Sequence, residues 1–180
     1  MGKKIILIAA FLFLCGPAFA GAPAKAPEPA QSGPVADTGK SSSGLPIPRF
    51  VSLAADKVFV RTGPALRYPI KWVYQRQNLP VEIIQEFDTW RKIRDMDGDD
   101  GWVHQSLLSG DRYAIVKGEI NLAVRKEPGA NSRISAFYEP DVVASLSGCE
   151  GEWCRVRSEG YEGWAERKFL WGIYDSEDFD

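Results

Sequence analysis

Apolar and polar side chains alternate with a two-residue period through most of the chain beyond residue 49, in short stretches separated by turn-forming residues. In the first half the stretches are Lys57–Arg61, Ile70–Tyr74, Pro80–Phe87, Trp90–Asp95 and Gly101–His104. In the second they are Asn121–Arg125, Ile134–Tyr138, Val142–Leu146, Trp153–Arg157 and Gly163–Ala165. A period of two puts successive side chains on opposite faces of an extended backbone, so each stretch predicts a short strand. Thr62–Pro69, Glu86–Thr89, Met96–Asp100, Lys126–Ser132, Gly148–Glu152 and Ser158–Glu162 are turn-like in composition and predict the connecting loops. No stretch keeps a convincing amphipathic helix period. Each half therefore predicts a small all-β barrel of about five strands.

The two halves are copies of one unit. Val58–Pro64 reads VFVRTGP and Leu122–Pro128 reads LAVRKEP. Trp90 opens WRKIRDMDGDDGWVHQSLLSG, and Trp153 opens WCRVRSEGYEGWAERKFLWG. Arg61 falls on Arg125, Trp90 on Trp153, Gly98 on Gly160, Trp102 on Trp164 and Gly110 on Gly172. The offset drifts only from 64 to 62, which two one-residue gaps explain. Two tandem modules with little chain left over argue against a single enzyme core. A unit this small buries little surface and is marginal alone, so packing of the two would help each.

The N-terminus reads differently. Lys3 and Lys4 precede the apolar run Ile5–Leu14, which ends in Pro17-Ala18-Phe19-Ala20. A basic start, a short apolar core and a small-residue end predict a secretory signal over 1–20, cut after Ala20. The run is shorter than the ~20 residues a membrane-spanning helix needs. A retained anchor is the alternative, and Leu14 before Cys15 is a poor setting for lipid attachment. Residues 21–48 hold Pro23, Pro27, Pro29, Pro34, Pro46 and Pro48 among Ala, Gly and Ser, and predict a disordered linker. A second reading makes this segment a proline-rich ligand for the module beside it. An exported protein without a stable membrane anchor follows, with the periplasm as the default destination.

Charge excludes one class of partner. The chain carries 22 Lys and Arg against 24 Asp and Glu, with none of the strong basic bias that nucleic-acid binding needs. From Arg49 to Ala114 ten bases face nine acids; from Ile115 to Asp180 eight face thirteen. The last six residues, 175–180, supply four of those acids and predict a frayed, solvated tail. Beyond the signal, Cys149 and Cys154 remain, flanking Glu150-Gly151-Glu152-Trp153. Export and an even count predict a disulfide across the mouth of a hairpin. The rival is a metal site, for which a lone pair of cysteines with no nearby histidine is poor chemistry.

The repeated order is an apolar strand with Val-Arg, a Pro/Gly loop, a strand opening with Trp, and a Gly-x-x-Gly-Trp strand. It resembles the bacterial Src-homology-3-like (SH3-like) domains of exported proteins. The resemblance is closest in VFVRTGP, YPIKWVY, LPVEIIQEFDTWRKIRD and DGDDGWVHQSLLSG, and looser in the second copy. It implies two tandem SH3-like barrels, 49–114 and 115–174. It also implies a non-catalytic module that recognises peptidoglycan or a peptide in the cell envelope. A scaffold for an envelope enzyme is the alternative; a cell-wall hydrolase is a further one. No cofactor is implied.

Candidate contacts concentrate in the first copy. Tyr68, Trp72 and Tyr74 form a prospective aromatic shelf, since Trp72 and Tyr74 share a strand face and the second copy has Ala136 where the first has Trp72. The same side chains would equally serve to fill the contact between the modules. His104, the single histidine, ends the Gly-Trp-Val-His strand and joins the candidate ligand residues. Trp90, Trp102, Trp153 and Trp164 are expected chiefly in packing. Arg61 and Arg125 are expected in a repeated turn contact or salt bridge. The run Asp95–Asp100 looks faintly like a calcium loop, but its glycine is misplaced and Ser106 stands where a closing Glu belongs, so a solvated hairpin tip is expected.

Overall fold

Fourteen strands form among residues 41–177, which are the residues described by the computed structural model. The expected signal sequence, Cys15, most of the expected linker and residues 178–180 lie outside them. In the first copy the strands are β1 (Arg49–Leu53), β2 (Val58–Arg61), β3 (Ile70–Tyr74), β4 (Pro80–Phe87), β5 (Trp90–Arg94), β6 (Asp100–His104) and β7 (Leu108–Ser109). They make one sheet in the order β3-β2-β6-β5-β4-β1-β7. The second copy holds β8 (Tyr113–Val116), β9 (Leu122–Arg125), β10 (Ile134–Tyr138), β11 (Val143–Glu150), β12 (Trp153–Ser158), β13 (Tyr161–Glu166) and β14 (Leu170–Trp171). Its order is β10-β9-β13-β12-β11-β8-β14, the same arrangement with every strand seven places on. The duplication in sequence is thus a duplication of topology, with antiparallel pairing throughout.

Both sheets bend at matching places. The β2–β3 ladder shifts register between Val60 and Arg61, and β9–β10 shifts opposite, between Ile134 and Ala136. The β4–β5 ladder shifts between Ile83 and Gln85, and β11–β12 shifts between Leu146 and Gly148. Such bulges turn a strand sharply, which a small curled sheet requires. The expected strands β3, β4 and β10 have the expected bounds. Strands β1, β7, β8 and β14 were not anticipated: β7 and β14 are two residues long, and Tyr113–Val116 lacks alternation because three of its four residues are buried. The expected boundary after residue 114 falls inside β8, which pairs with β11 and β14; the copies divide at Gly110–Arg112 instead.

Each copy has its own core. Leu53, Val58, Val60, Val81, Ile83, Ile93 and Val103 fill the first; Val116, Leu122, Val124, Leu146, Val156 and Leu170 lead the second. In both, the glycine before the repeated tryptophan lets two strands approach closely. A Cβ on Gly101 would collide with Val60 Cγ1, and one on Gly163 with the Arg125 carbonyl oxygen and Val124 Cγ1. The Val-Arg motif has an equally local cause. Arg61 Nη1 donates to the carbonyls of Leu66 (3.0 Å) and Tyr68 (2.8 Å), and Arg125 Nη1 donates to that of Ser132 (2.7 Å). The arginine braces the β2–β3 loop of its own copy. Cys149 and Cys154 are directly opposed on β11 and β12 and joined by a disulfide.

The two barrels meet through the C-terminal segment, within one compact unit, Thr38–Asp180. Phe50 of β1 lies against Trp171 (ring centroids 5.1 Å apart) and Tyr174 (4.6 Å). The expected frayed acidic tail is corrected for Asp175–Glu177. Glu177 pairs with Arg112, and Arg167 Nη1 donates to the carbonyls of Tyr174, Asp175 and Glu177. Two arginines that need acceptors hold this segment down. The expected linker is likewise corrected at its end: Ser41, Ser42 and Ser43 all donate to the Glu86 carboxylate, which Arg49 and Arg91 also meet.

Candidate functional site

The four expected ligand residues do not share one surface. Trp72 is directly opposite Val60 and Tyr74 opposite Val58. Directly opposed residues project to the same face of a sheet. Since Val58 and Val60 are core residues, Trp72 and Tyr74 lie on the core side, half-buried against it and edge-to-face at 5.9 Å. The Tyr74 hydroxyl donates to Asp95 Oδ2 at 2.7 Å. Burial and that bond push the phenol well above its ordinary pKa. Its counterpart Tyr138 does the same work in the second copy, donating to the Tyr161 carbonyl and accepting from Ser158 N–H. In both copies this tyrosine ties the end of one strand to the β5–β6 type hairpin. Tyr68 sits in the β2–β3 loop with its ring against Gly63.

His104 belongs to a different place. It lines an open cleft of about 620 Å³ with Ala65, Leu66, Arg67, Thr89 and Trp90. On the β4–β5–β6 ladders Phe87 is opposite Trp90, and Trp90 is opposite His104, so the three form one rung on the outer face. Trp90 is buried and meets the His104 ring edge-to-face at 5.5 Å. Phe87 is 59% exposed, and Leu66, projecting from the loop, is 76% exposed. His104 Nδ1 accepts the Ser106 backbone N–H (3.3 Å) and lies 2.7 Å from Ser106 Oγ. With Nδ1 an acceptor, the neutral ring carries its proton on Nε2. The His104–Ser106 contact caps the short helical turn Gln105–Leu107, a local role unlike a nucleophile held against an oriented base. Among the described residues, no three His, Cys, Asp or Glu side chains are grouped as a metal site.

The second copy keeps the tryptophan and changes what surrounds it. Glu150 is opposite Trp153, and Trp153 is opposite Glu166. The rung Phe-Trp-His of the first barrel is therefore Glu-Trp-Glu in the second. By the same alignment Ala130 stands for Leu66 and Asn131 for Arg67. The first barrel thus presents an apolar, aromatic and cationic cleft; the second presents two carboxylates. Phe87, Leu66 and Arg67 were missed in the sequence. Leu66 carried a signal, being a large apolar residue in a loop without alternation; Phe87 read as an ordinary strand end.

Residues 54–110 and residues 118–172 each match the bacterial SH3 domain family, one copy apiece and together more than half of the chain. The chain belongs to the bacterial SH3 domain family. That family is one of binding modules, and the two matched segments hold every described strand except β1 and β8. No curated protein matches the chain. The solved structures similar to it include NlpC2 and NlpC1 from Trichomonas vaginalis, each at 14% identity over 73% of this chain. The match covers 51% of NlpC2 with a TM-score of 0.33, and 48% of NlpC1 with a TM-score of 0.32. The chain spans about half the length of each.

Proposed function

We propose that this tandem bacterial SH3 protein is a non-catalytic binding module of the cell envelope, and that its first barrel holds peptidoglycan or a peptide in the cleft beside Leu66. One observation carries this reading: Trp90 and His104 line one cleft with Leu66 and Arg67 in the first barrel, exposed Phe87 continues their rung, and the second-barrel equivalent of that rung is Glu150–Trp153–Glu166. Aromatic faces stack on sugar rings or flank an extended peptide, and a rim leucine adds apolar contact at little ordering cost. The Arg67 guanidinium and the His104 Nε2–H supply donors that fix orientation. The Lys3–Ala20 pattern supports export, which would bring such a module to the wall.

The test is co-sedimentation of the mature protein with purified sacculi, wild type beside a Leu66→Ser/Phe87→Ser variant. Both positions are exposed, so the variant should fold. Pelleting of the wild type alone is expected. Failure of the wild type to pellet moves the ligand to an envelope protein, and crosslinking in intact cells then identifies it.

A further inference from the structure

One rung further along the same face lies a second, smaller depression of about 180 Å³, lined by Arg61, Thr62, Lys71, Lys92, Asp100, Gly101 and Trp102. Lys92 is opposite Trp102, and Trp102 opposite Arg61, so these three form the rung next to Trp90–His104. Rungs two residues apart on one face are ~7 Å from each other. The β2–β3 loop borders both depressions, through Ala65–Arg67 at one and Thr62 at the other. Half-buried Trp102 thus continues the aromatic surface, now flanked by cations.

Three cations and one carboxylate line this depression, and only Lys92 is paired with that carboxylate. Lys92 Nζ is 3.0 Å from Asp100 Oδ2, and Lys71 Nζ donates to the Asp100 carbonyl at 2.8 Å. Arg61 Nη1 is committed to the loop carbonyls of Leu66 and Tyr68. Each ammonium has three N–H donors and each guanidinium five, so capacity for a further acceptor remains at all three. The Lys71 ammonium also lies 4.8 Å from the centre of the Trp72 ring. That contact holds the ammonium near the rim of the depression. In the second copy Ser135 stands for Lys71 and Arg155 for Lys92, and Arg155 shares Glu162 with Arg157.

We infer that the notch at Arg61, Lys71 and Lys92 is an anion subsite, and that the ligand of the first barrel is an extended peptide carrying a carboxylate two to three residues from its apolar anchor. The inference rests on the cleft beside Leu66 being the binding site. The spacing follows from the ~7 Å rung separation and the ~3.3 Å that an extended residue spans. The ligand would run along β6, its apolar group in the cleft beside Leu66, its carboxylate over Lys71 and Lys92.

The experiment uses muropeptides released from sacculi by muramidase, and the same fragments after carbodiimide amidation of their carboxylates. Wild type, Lys71→Gln/Lys92→Gln and Leu66→Ser are titrated with each, following tryptophan fluorescence. Amidation should weaken wild-type binding roughly tenfold, and the lysine variant should bind both preparations at that weaker level. Leu66→Ser should weaken binding of both. Equal binding of native and amidated fragments, with Leu66→Ser still defective, overturns the anion subsite and leaves the cleft standing. Loss with amidation that the lysine variant does not reproduce also overturns it, because the carboxylate is then read elsewhere. Absence of binding to either preparation overturns the subsite together with the wall reading.

Discussion

The Tyr174 hydroxyl, beyond the last strand of the second barrel, donates to Glu82 Oε1 in the first at 2.8 Å. Glu82 is buried, and its other oxygen accepts two bonds from Arg94. Burial, followed by the bond to Glu82, pushes the Tyr174 phenol well above its ordinary pKa, so it remains a donor at physiological pH. Phe50 packs on the same ring. Tyr174→Phe keeps that packing and removes only the bond to a charged acceptor, a loss of about 1.5–3 kcal/mol. Chemical denaturation of the two proteins measures it. A difference near zero would mean that Glu82 is satisfied without Tyr174.

Glu86 is the corresponding hub at the N-terminal edge. Burial alone would raise its pKa, but hydrogen bonds from Ser41, Arg49 and Ser43 outweigh burial and hold it well below the ordinary 4.5. A carboxylate whose folded pKa is depressed stabilises the fold above its unfolded pKa, and that stabilisation is lost as pH falls toward the folded value. Unfolding midpoints in urea should therefore drop as pH goes from about 5 toward 2, more steeply for wild type than for Glu86→Gln. Parallel curves would show that Glu86 titrates alike in both states.

The strands were legible because a half-buried sheet writes its period into the sequence: Ile70–Tyr74 and Pro80–Phe87 alternate, and they are strands with those bounds. The pairing of Cys149 with Cys154 was legible from spacing. Of the proposed cleft only His104 was legible, for a reason of geometry. Alternation says that Trp72 and Tyr74 share a face but not which face, and pairing with Val60 and Val58 puts them on the core side. The rung Phe87–Trp90–His104 joins residues from three strands, and no local pattern announces a cross-strand register. The order of residues 41–43 was hidden in the same way, since their partner Glu86 lies more than 40 positions away.

The Cys149–Cys154 disulfide closes a short loop across the β11–β12 hairpin. On the chain-entropy account, closing so small a loop is worth about 2 kcal/mol. Cys149→Ser/Cys154→Ser should cost that amount, read from denaturation with and without reductant. Reduced wild type should match the variant. A larger loss would mean that burial of the two serine hydroxyls dominates, since both cysteines are buried.

Gly101 and Gly163 occupy equivalent positions and should differ in tolerance. A methyl on Gly101 meets chiefly the Val60 side chain, whereas one on Gly163 meets the Arg125 carbonyl oxygen, which belongs to the backbone. A side chain can rotate aside; a ladder carbonyl moves only with its strand. Overpacking costs about 1–3 kcal/mol, and Gly163→Ala should lie at or above the top of that range with Gly101→Ala nearer the bottom. Thermal melts of both variants rank them.

Trp72→Ala separates a packing role from a binding role. Trp72 is half-buried against the first core, and the 620 Å³ cleft is lined by other residues. Full burial of an aromatic is worth 3–5 kcal/mol on truncation to alanine, so a half-buried Trp72 should cost roughly 2 kcal/mol. Under native conditions the surviving folded protein should still pellet with sacculi, weakened no further than Lys71→Gln weakens it, because Trp72 only steadies the Lys71 ammonium. Leu66→Ser should show the opposite pattern, with stability within about 0.5 kcal/mol of wild type and binding lost. If Trp72→Ala remains folded yet loses more binding than Lys71→Gln does, the ligand reaches the β3 edge, and the site extends past the Lys71 rim toward Tyr74.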